Sequence, residues 1–276
     1  MVIEKIFETP GPLTLNLSVP QGTIDVETVD GQQTHVELDC DDEKALAEAR
    51  VELRERPGGG HEVVVEVDRR RGLLGGMINI SIGDLHFGGR EWRLRVTCPA
   101  GAELKTSTAA ANLTARGRYS AADVKTASGD VTIDVIDGDA RIKSVSGDVA
   151  IESVGGDLDL KTVSGDVEVG HVGGKTTART VSGDLRLRDT ESSVTANSVS
   201  GDVRLQVASG DVGLTSVSGD MEVAIRRGSR VYIDANSVSG ELDSELELAE
   251  SPTGGEGPIV ELRAKTVSGD FRVVRA

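Results

Sequence analysis

The amino-acid sequence predicts an all-β protein: a parallel β-solenoid with 18 residues per coil, preceded by a small antiparallel β-domain. Three observations carry this expectation. A five-residue motif, [AV]-S-G-[DE]-x, recurs from ASGDV at Ala127 through VSGDV at Val145 to VSGDF at Val267. Its glycine falls at Gly129, Gly147, Gly165, Gly183, Gly201 and Gly219, a spacing of 18 throughout. Aromatic residues make up only 2% of the 276, so the core must be built from Val, Leu, Ile and Ala, which suit closely spaced strands.

In chain order, residues 1–98 read as the antiparallel domain that caps the solenoid. The runs LTLNLSV, TIDVET, THVELD, HEVVVEV and EWRLRVTCP alternate apolar and polar residues with the period of a strand. DDEKALAEAR predicts a short helix starting at Asp41 or Asp42. VELRERPGGGHEVVVEV reads as a hairpin turning on the glycines at 58–60. The segment DRRRGLLGGMINISIGDLHFGG sets Arg69, Arg70 and Arg71 before Leu73, Leu74 and Met77. Basic residues beside an apolar tip make these six the expected contact with a partner or an anionic membrane surface. The competing reading is a loop whose apolar residues fold back as a strand, MINISI.

Residues 99–276 read as the solenoid. Halfway between successive SGD motifs lies a relaxed copy, as in VGGDLDLKT at Val154, so the unit is a nonapeptide used alternately in strict and relaxed form. Glycine permits the tight turn, and Ser and Asp can bond backbone groups there. The residues that follow place Val131, Val149, Val167, Leu185, Val203 and Met221 on one inward ladder, with Thr132, Glu168, Arg186 and Arg204 facing water. A second inward ladder is hydroxylic: Thr126, Ser144, Thr162, Thr180, Ser198, Ser216, Ser237 and Thr266. A unit this short cannot bury its own apolar face, so neighbouring coils must stack. Near 247–262, SPTGGEGP between two alternating runs predicts a protruding terminal hairpin.

The repeated T-V-S-G-D-V units, behind the opening VPQGTIDVET at Val19, resemble the bacterial "putative adhesin" family of β-solenoid proteins. The resemblance spans nearly the whole chain. It implies the solenoid architecture and brings no catalytic residues with it.

Few features point to chemistry. A net charge of -16 argues against nucleic acid, which needs a basic surface. Cys40 and Cys98 lack metal or redox spacing, and His35, His61, His86 and His171 are scattered. Asp130, Asp148, Asp166, Asp184, Asp202 and Asp220 form an acidic ladder; they cap their own turns, or else they bind calcium as the repeats of a known β-roll do. Lys125, Lys143, Lys161 and Arg179 occupy equivalent outward positions. The opening residues lack the pattern of a signal peptide, and no stretch approaches the roughly 20 apolar residues of a membrane span. The expectation is therefore a cytoplasmic, non-enzymatic scaffold or interaction module without a cofactor. It would bind a protein or cell-envelope component and exist as a monomer or small closed oligomer. The alternatives are a self-assembling, bactofilin-like protein and a calcium-dependent adhesin.

Overall fold

The computed structural model describes residues 2–67, 90–207, 209–246 and 258–276. The chain opens with β1 (Val2–Glu8), β2 (Leu13–Ser18), β3 (Gln21–Val29) and β4 (Gln33–Cys40). A short helix α1 (Glu43–Glu48) follows, and then β5 (Arg50–Glu55) and β6 (His61–Glu66). β7 (Trp92–Pro99), β8 (Ala102–Ser107) and the long β9 (Ala110–Lys125) lead into the repeats.

Each coil then supplies one strand after its SGD corner and a second after its relaxed corner. The pairs are β10 (Val131–Ile136) with β11 (Ala140–Lys143) and β12 (Val149–Val154) with β13 (Leu158–Lys161). Next come β14 (Val167–Val172) with β15 (Thr176–Arg179), then β16 (Leu185–Thr190) with β17 (Val194–Asn197). β18 (Val203–Val207) pairs off with β19 (Gly210–Ser218), and β20 (Met221–Ile225) closes the uniform series. The last strands are β21 (Arg230–Ser239), β22 (Leu242–Ser244), β23 (Ile259–Ser268) and β24 (Phe271–Arg275).

These strands stack as two parallel rows around one core. Row A carries the strands after the SGD corners and row B those after the relaxed corners. Val131 lies opposite Val149, Val149 opposite Val167, and Val167 opposite Leu185, so the register between coils is the 18-residue period. The predicted inward ladder is buried: Val131, Val149, Val167, Leu185, Val203 and Met221 are each at most 2% exposed. The hydroxylic ladder is buried too, apart from the half-buried Ser237 of the last coil.

Among the described residues, antiparallel pairing is confined to the N-terminal end, where β1 joins β4 and β4 joins β7 in row A while β5 joins β6 in row B. The glycine hairpin at 58–60 connects that last pair. Asp42 caps α1 by accepting the backbone N–H groups of Lys44 and Ala45 at 2.9 and 3.2 Å. Its Ala45 and Leu46 are buried and close the end of the core between the rows.

Two strands read as antiparallel, β2 and β3, instead run parallel to the coils. β2 lies between β6 and β8, and β3 between β7 and β9. Alternation marks a strand without naming its partner, so the sequence could not distinguish the two pairings. The C-terminal end repeats the device. β23 and β24 lie between β19 and β20 on one side and β21 and β22 on the other. IVELRAKT is thus a solenoid strand paired in parallel on both edges and not one arm of a hairpin; residues 247–257, with the expected tip, lie outside the described residues. Burial follows this order. Val260, Leu262, Phe271 and Val273 are buried, whereas Val231 and Ile233 are half-buried and Leu242 is exposed.

Two substitutions test this architecture. Val167→Asp places an unpaired charge between stacked coils, so a loss of more than about 4 kcal/mol is expected in urea denaturation. Gly183 has φ +109°, and a Cβ there would press on the carbonyl oxygen of Gly165 in the coil before. Gly183→Ala is expected to cost about 2 kcal/mol or more. Near-neutral behaviour of either variant would contradict the stacking.

Candidate functional site: the outer ladders of the solenoid

The SGD corner is held by side chains that the repeat supplies to every coil. Ser144 Oγ donates to the Gly147 carbonyl at 2.9 Å and accepts the Gly147 N–H at 3.1 Å, closing the turn from inside. The Asp that follows acts on the next coil. Oδ1 of Asp130, Asp148, Asp166, Asp184, Asp202 and Asp220 accepts the backbone N–H of the equivalent residue one coil on, at 2.8–3.1 Å. This corrects the expectation that each Asp caps its own turn. One oxygen of each carboxylate is thereby committed. The other oxygens of Asp184 and Asp202 also accept from Arg186 and Arg204 at 3.0 Å.

A neutral residue performs the same bond at the head of the ladder, where Asn112 Oδ1 accepts the N–H of Asp130 at 3.0 Å. Asp166→Asn should therefore be neutral or stabilising in urea denaturation, because it keeps the acceptor and removes a like charge. Asp166→Ala should lose about 1 kcal/mol. Calcium added to the metal-free chain should leave its Tm unchanged. Equal destabilisation by Asn and Ala, or a Tm that rises with calcium, would restore calcium as a ligand of the ladder.

The outer face of row B carries a different pattern. Parallel register sets Lys125 beside Lys143, Lys143 beside Lys161, and Lys161 beside Arg179, giving four cations on consecutive rungs about 4.8 Å apart. The neighbouring column partly answers them. Lys125 and Lys161 lie 3.8 and 3.5 Å from Asp123 and Asp159, while Arg141 bridges those same two carboxylates at 4.0 and 3.8 Å. On these four strands five outward cations face two carboxylates, a basic strip on an acidic chain. A shallow groove of about 590 Å³ beside the strip is lined by Lys105, Arg141, Lys175 and Arg179 together with the carboxylates of Glu103, Asp123, Asp139, Asp157 and Asp159, so the groove itself is not basic. Small Thr177, one rung beyond Asp159, leaves its floor low.

Stacking also assembles a cluster that the sequence reading missed. His171 and Asp189 lie one 18-residue step apart, and with Glu191 their donor atoms all fall within 4.8 Å of one another. His171 Nδ1 is 3.2 Å from Asp189 Oδ2, and Arg226 donates to Asp189 Oδ1 at 3.2 Å. Residues 171 and 189 looked unrelated along the chain, yet the repeat length alone predicts that they are neighbours. Glu4, His35 and Glu37 form a similar group across β1 and β4. His86 and the expected contact residues Arg69, Arg70, Arg71, Leu73, Leu74 and Met77 lie outside the described residues.

Buried reactive groups serve packing. Cys98 is buried, which pushes its thiol up to about 12. Burial also raises Tyr119, whose hydroxyl lies 3.2 Å from the Val26 carbonyl and 3.1 Å from that of Arg116. Among the described residues, no helix is long and apolar enough to cross a membrane.

No curated protein matches the chain. A "putative adhesin" from Bacteroides fragilis is similar at 11% identity and a TM-score of 0.44, over 99% of this chain and 97% of that one. Another from Parabacteroides merdae is 12% identical with a TM-score of 0.34, over 99% and 96% of the two chains. A "putative cell adhesion protein" from Clostridium sporogenes is 11% identical with a TM-score of 0.27, over 100% and 99%. The family described as Toastrack DUF4097 matches residues 14–210 and again 175–274. The chain belongs to the Toastrack DUF4097 family.

Proposed function

We propose that the protein is a non-enzymatic interaction module that holds an extended anionic component of the cell envelope along the outer face of row B. The column Lys125, Lys143, Lys161 and Arg179 carries this reading. Like charges on adjacent rungs repel, and a chain of net charge -16 has acidic residues to spare for pairing them. Yet Lys143 and Arg179 have no carboxylate within 4.0 Å among the described residues. An anionic ligand with repeating charge would relieve that repulsion at several rungs together and gain affinity by multivalency. The stacked rows keep the cations in line.

The test is binding of a linear polyuronate to the full chain, with neutral dextran as control. Wild-type binding should weaken as salt rises. The double variant Lys143→Glu, Arg179→Glu should bind at least tenfold more weakly with an unchanged unfolding midpoint, since both side chains lie on the outer face. Equal binding by the variant, or binding indifferent to salt, would defeat the proposal.

The same reading treats the solenoid as a unit that does not polymerise. At its N-terminal end β1, β4, β5 and α1 depart from the 18-residue repeat, so a second copy would find no matching coil to stack on. Light scattering should give a constant mass across micromolar concentrations; open-ended growth would favour the self-assembling alternative.

A further inference from the structure

We propose that His171, Asp189 and Glu191 form a binding site for one Zn²⁺ ion on the outer face of row A. The donor set is an imidazole and two carboxylates, all within 4.8 Å of one another. Two donors around a tetrahedral zinc ion at its usual bond lengths lie about 3.4 Å apart. His171 Nδ1 and Asp189 Oδ2, at 3.2 Å, already stand at that separation. Calcium is a poorer fit, because it takes six or more oxygen ligands and no imidazole.

The framework around the cluster is built for a fixed geometry. His171 and Asp189 sit on β14 and β16, adjacent strands in the middle of the stack, between the paired positions Val169–Leu187 and Val172–Thr190. The Arg226 guanidinium holds the remaining oxygen of Asp189 at 3.2 Å, which turns Oδ2 toward the imidazole. A ligand carboxylate oriented by a further hydrogen bond is the usual arrangement at zinc sites. Glu191 is fixed through its backbone, since its N–H donates to the Val172 carbonyl at 3.0 Å and its carbonyl accepts from Ser209 Oγ at 2.7 Å.

A break in the repeat coincides with the cluster. From Leu187 to Thr190 the strand β16 spends three steps where β18 spends two, from Leu205 to Val207. That bulge falls at Arg188 and Asp189. Bulges re-aim side chains and gather beside functional sites. The group Glu4, His35 and Glu37 lacks this setting: it straddles β1, the outermost strand of row A. Terminal edge strands are the first to fray.

The experiment is calorimetric titration of Zn²⁺ into the untagged, metal-free full chain, followed by Co²⁺ substitution to read the ligand field in the visible spectrum. One saturable ion per chain is expected, with a Tm that rises with zinc concentration. His171→Ala and Glu191→Gln should each weaken binding at least tenfold and change the cobalt spectrum, while His35→Ala should leave both unchanged. Both side chains project from the outer face, so neither substitution disturbs the core. The proposal is overturned by an absence of saturable binding in the native chain. It is equally overturned if binding survives His171→Ala or is lost instead in His35→Ala.

Discussion

The structure depends on one constraint: at each SGD corner the backbone of a coil must come close enough to hydrogen-bond the coil before it. Val167 N–H reaches the Asp184 carbonyl at 2.8 Å, and Ser182 N–H reaches the Val163 carbonyl at 2.7 Å. A side chain at the corner would hold the coils apart, since a Cβ on Gly201 would meet the Gly183 carbonyl and one on Gly219 would meet that of Gly201. Glycine is therefore fixed by contact between coils as much as by its own turn. Once the corners stack, the register of every strand between them is set. A slip of one residue would turn Val167 and Val169 to solvent and bring Glu168 inward.

Fixed register gives the outer surface its character, because any residue type that recurs every 18 positions becomes a column of like groups. The two charged columns resolve the resulting repulsion differently. In the acidic column each carboxylate accepts a backbone N–H from the next coil, so the charge sits against a partial positive charge and the stack gains a hydrogen bond. Lysine and arginine only donate, so they cannot accept the backbone N–H of the next coil in this way. They rely on Asp123 and Asp159, which are too few for five cations. The acidic column is thus part of the fold's own cohesion, whereas the basic one is left with capacity for something outside the chain.

Most of the solenoid was legible because its signals are local and repeated. The turn chemistry of Ser-Gly-Asp, the alternation of Val149 and Ile151, and the buried hydroxyl of Ser144 each say the same thing in every coil. What stayed illegible depends on order in space. Nothing in VSGEL or VSGDF states that the coil of Phe271 lies inside the coil of Leu242, since Val231, Ile233 and Leu242 are as apolar as their register partners Val260, Leu262 and Phe271. The parallel pairing of β2 and β3 was hidden for the same reason, since LTLNLSV alternates equally well for either kind of neighbour. The corner Asp was read as a turn residue because such residues usually act within their own turn, and the partner 18 residues away is invisible without the stack.

Candidate sites in such a molecule arise where the repeat is kept on the outside without being needed on the inside, or where it is broken. The column ending at Arg179 is the first kind, as the core beneath it is supplied by Ile142, Leu160 and Ala178 whatever the outward residue. His171 and Asp189 are the second. The equivalent position one coil earlier is Ser153, and one coil later the bulge removes a direct counterpart. A histidine, two carboxylates and an arginine come together where β16 and β18 depart from register, a kind of break that β9 and β10 also show. Regularity in this chain accounts for its stability, and the irregular rung is where a specific ligand has the most to recognise.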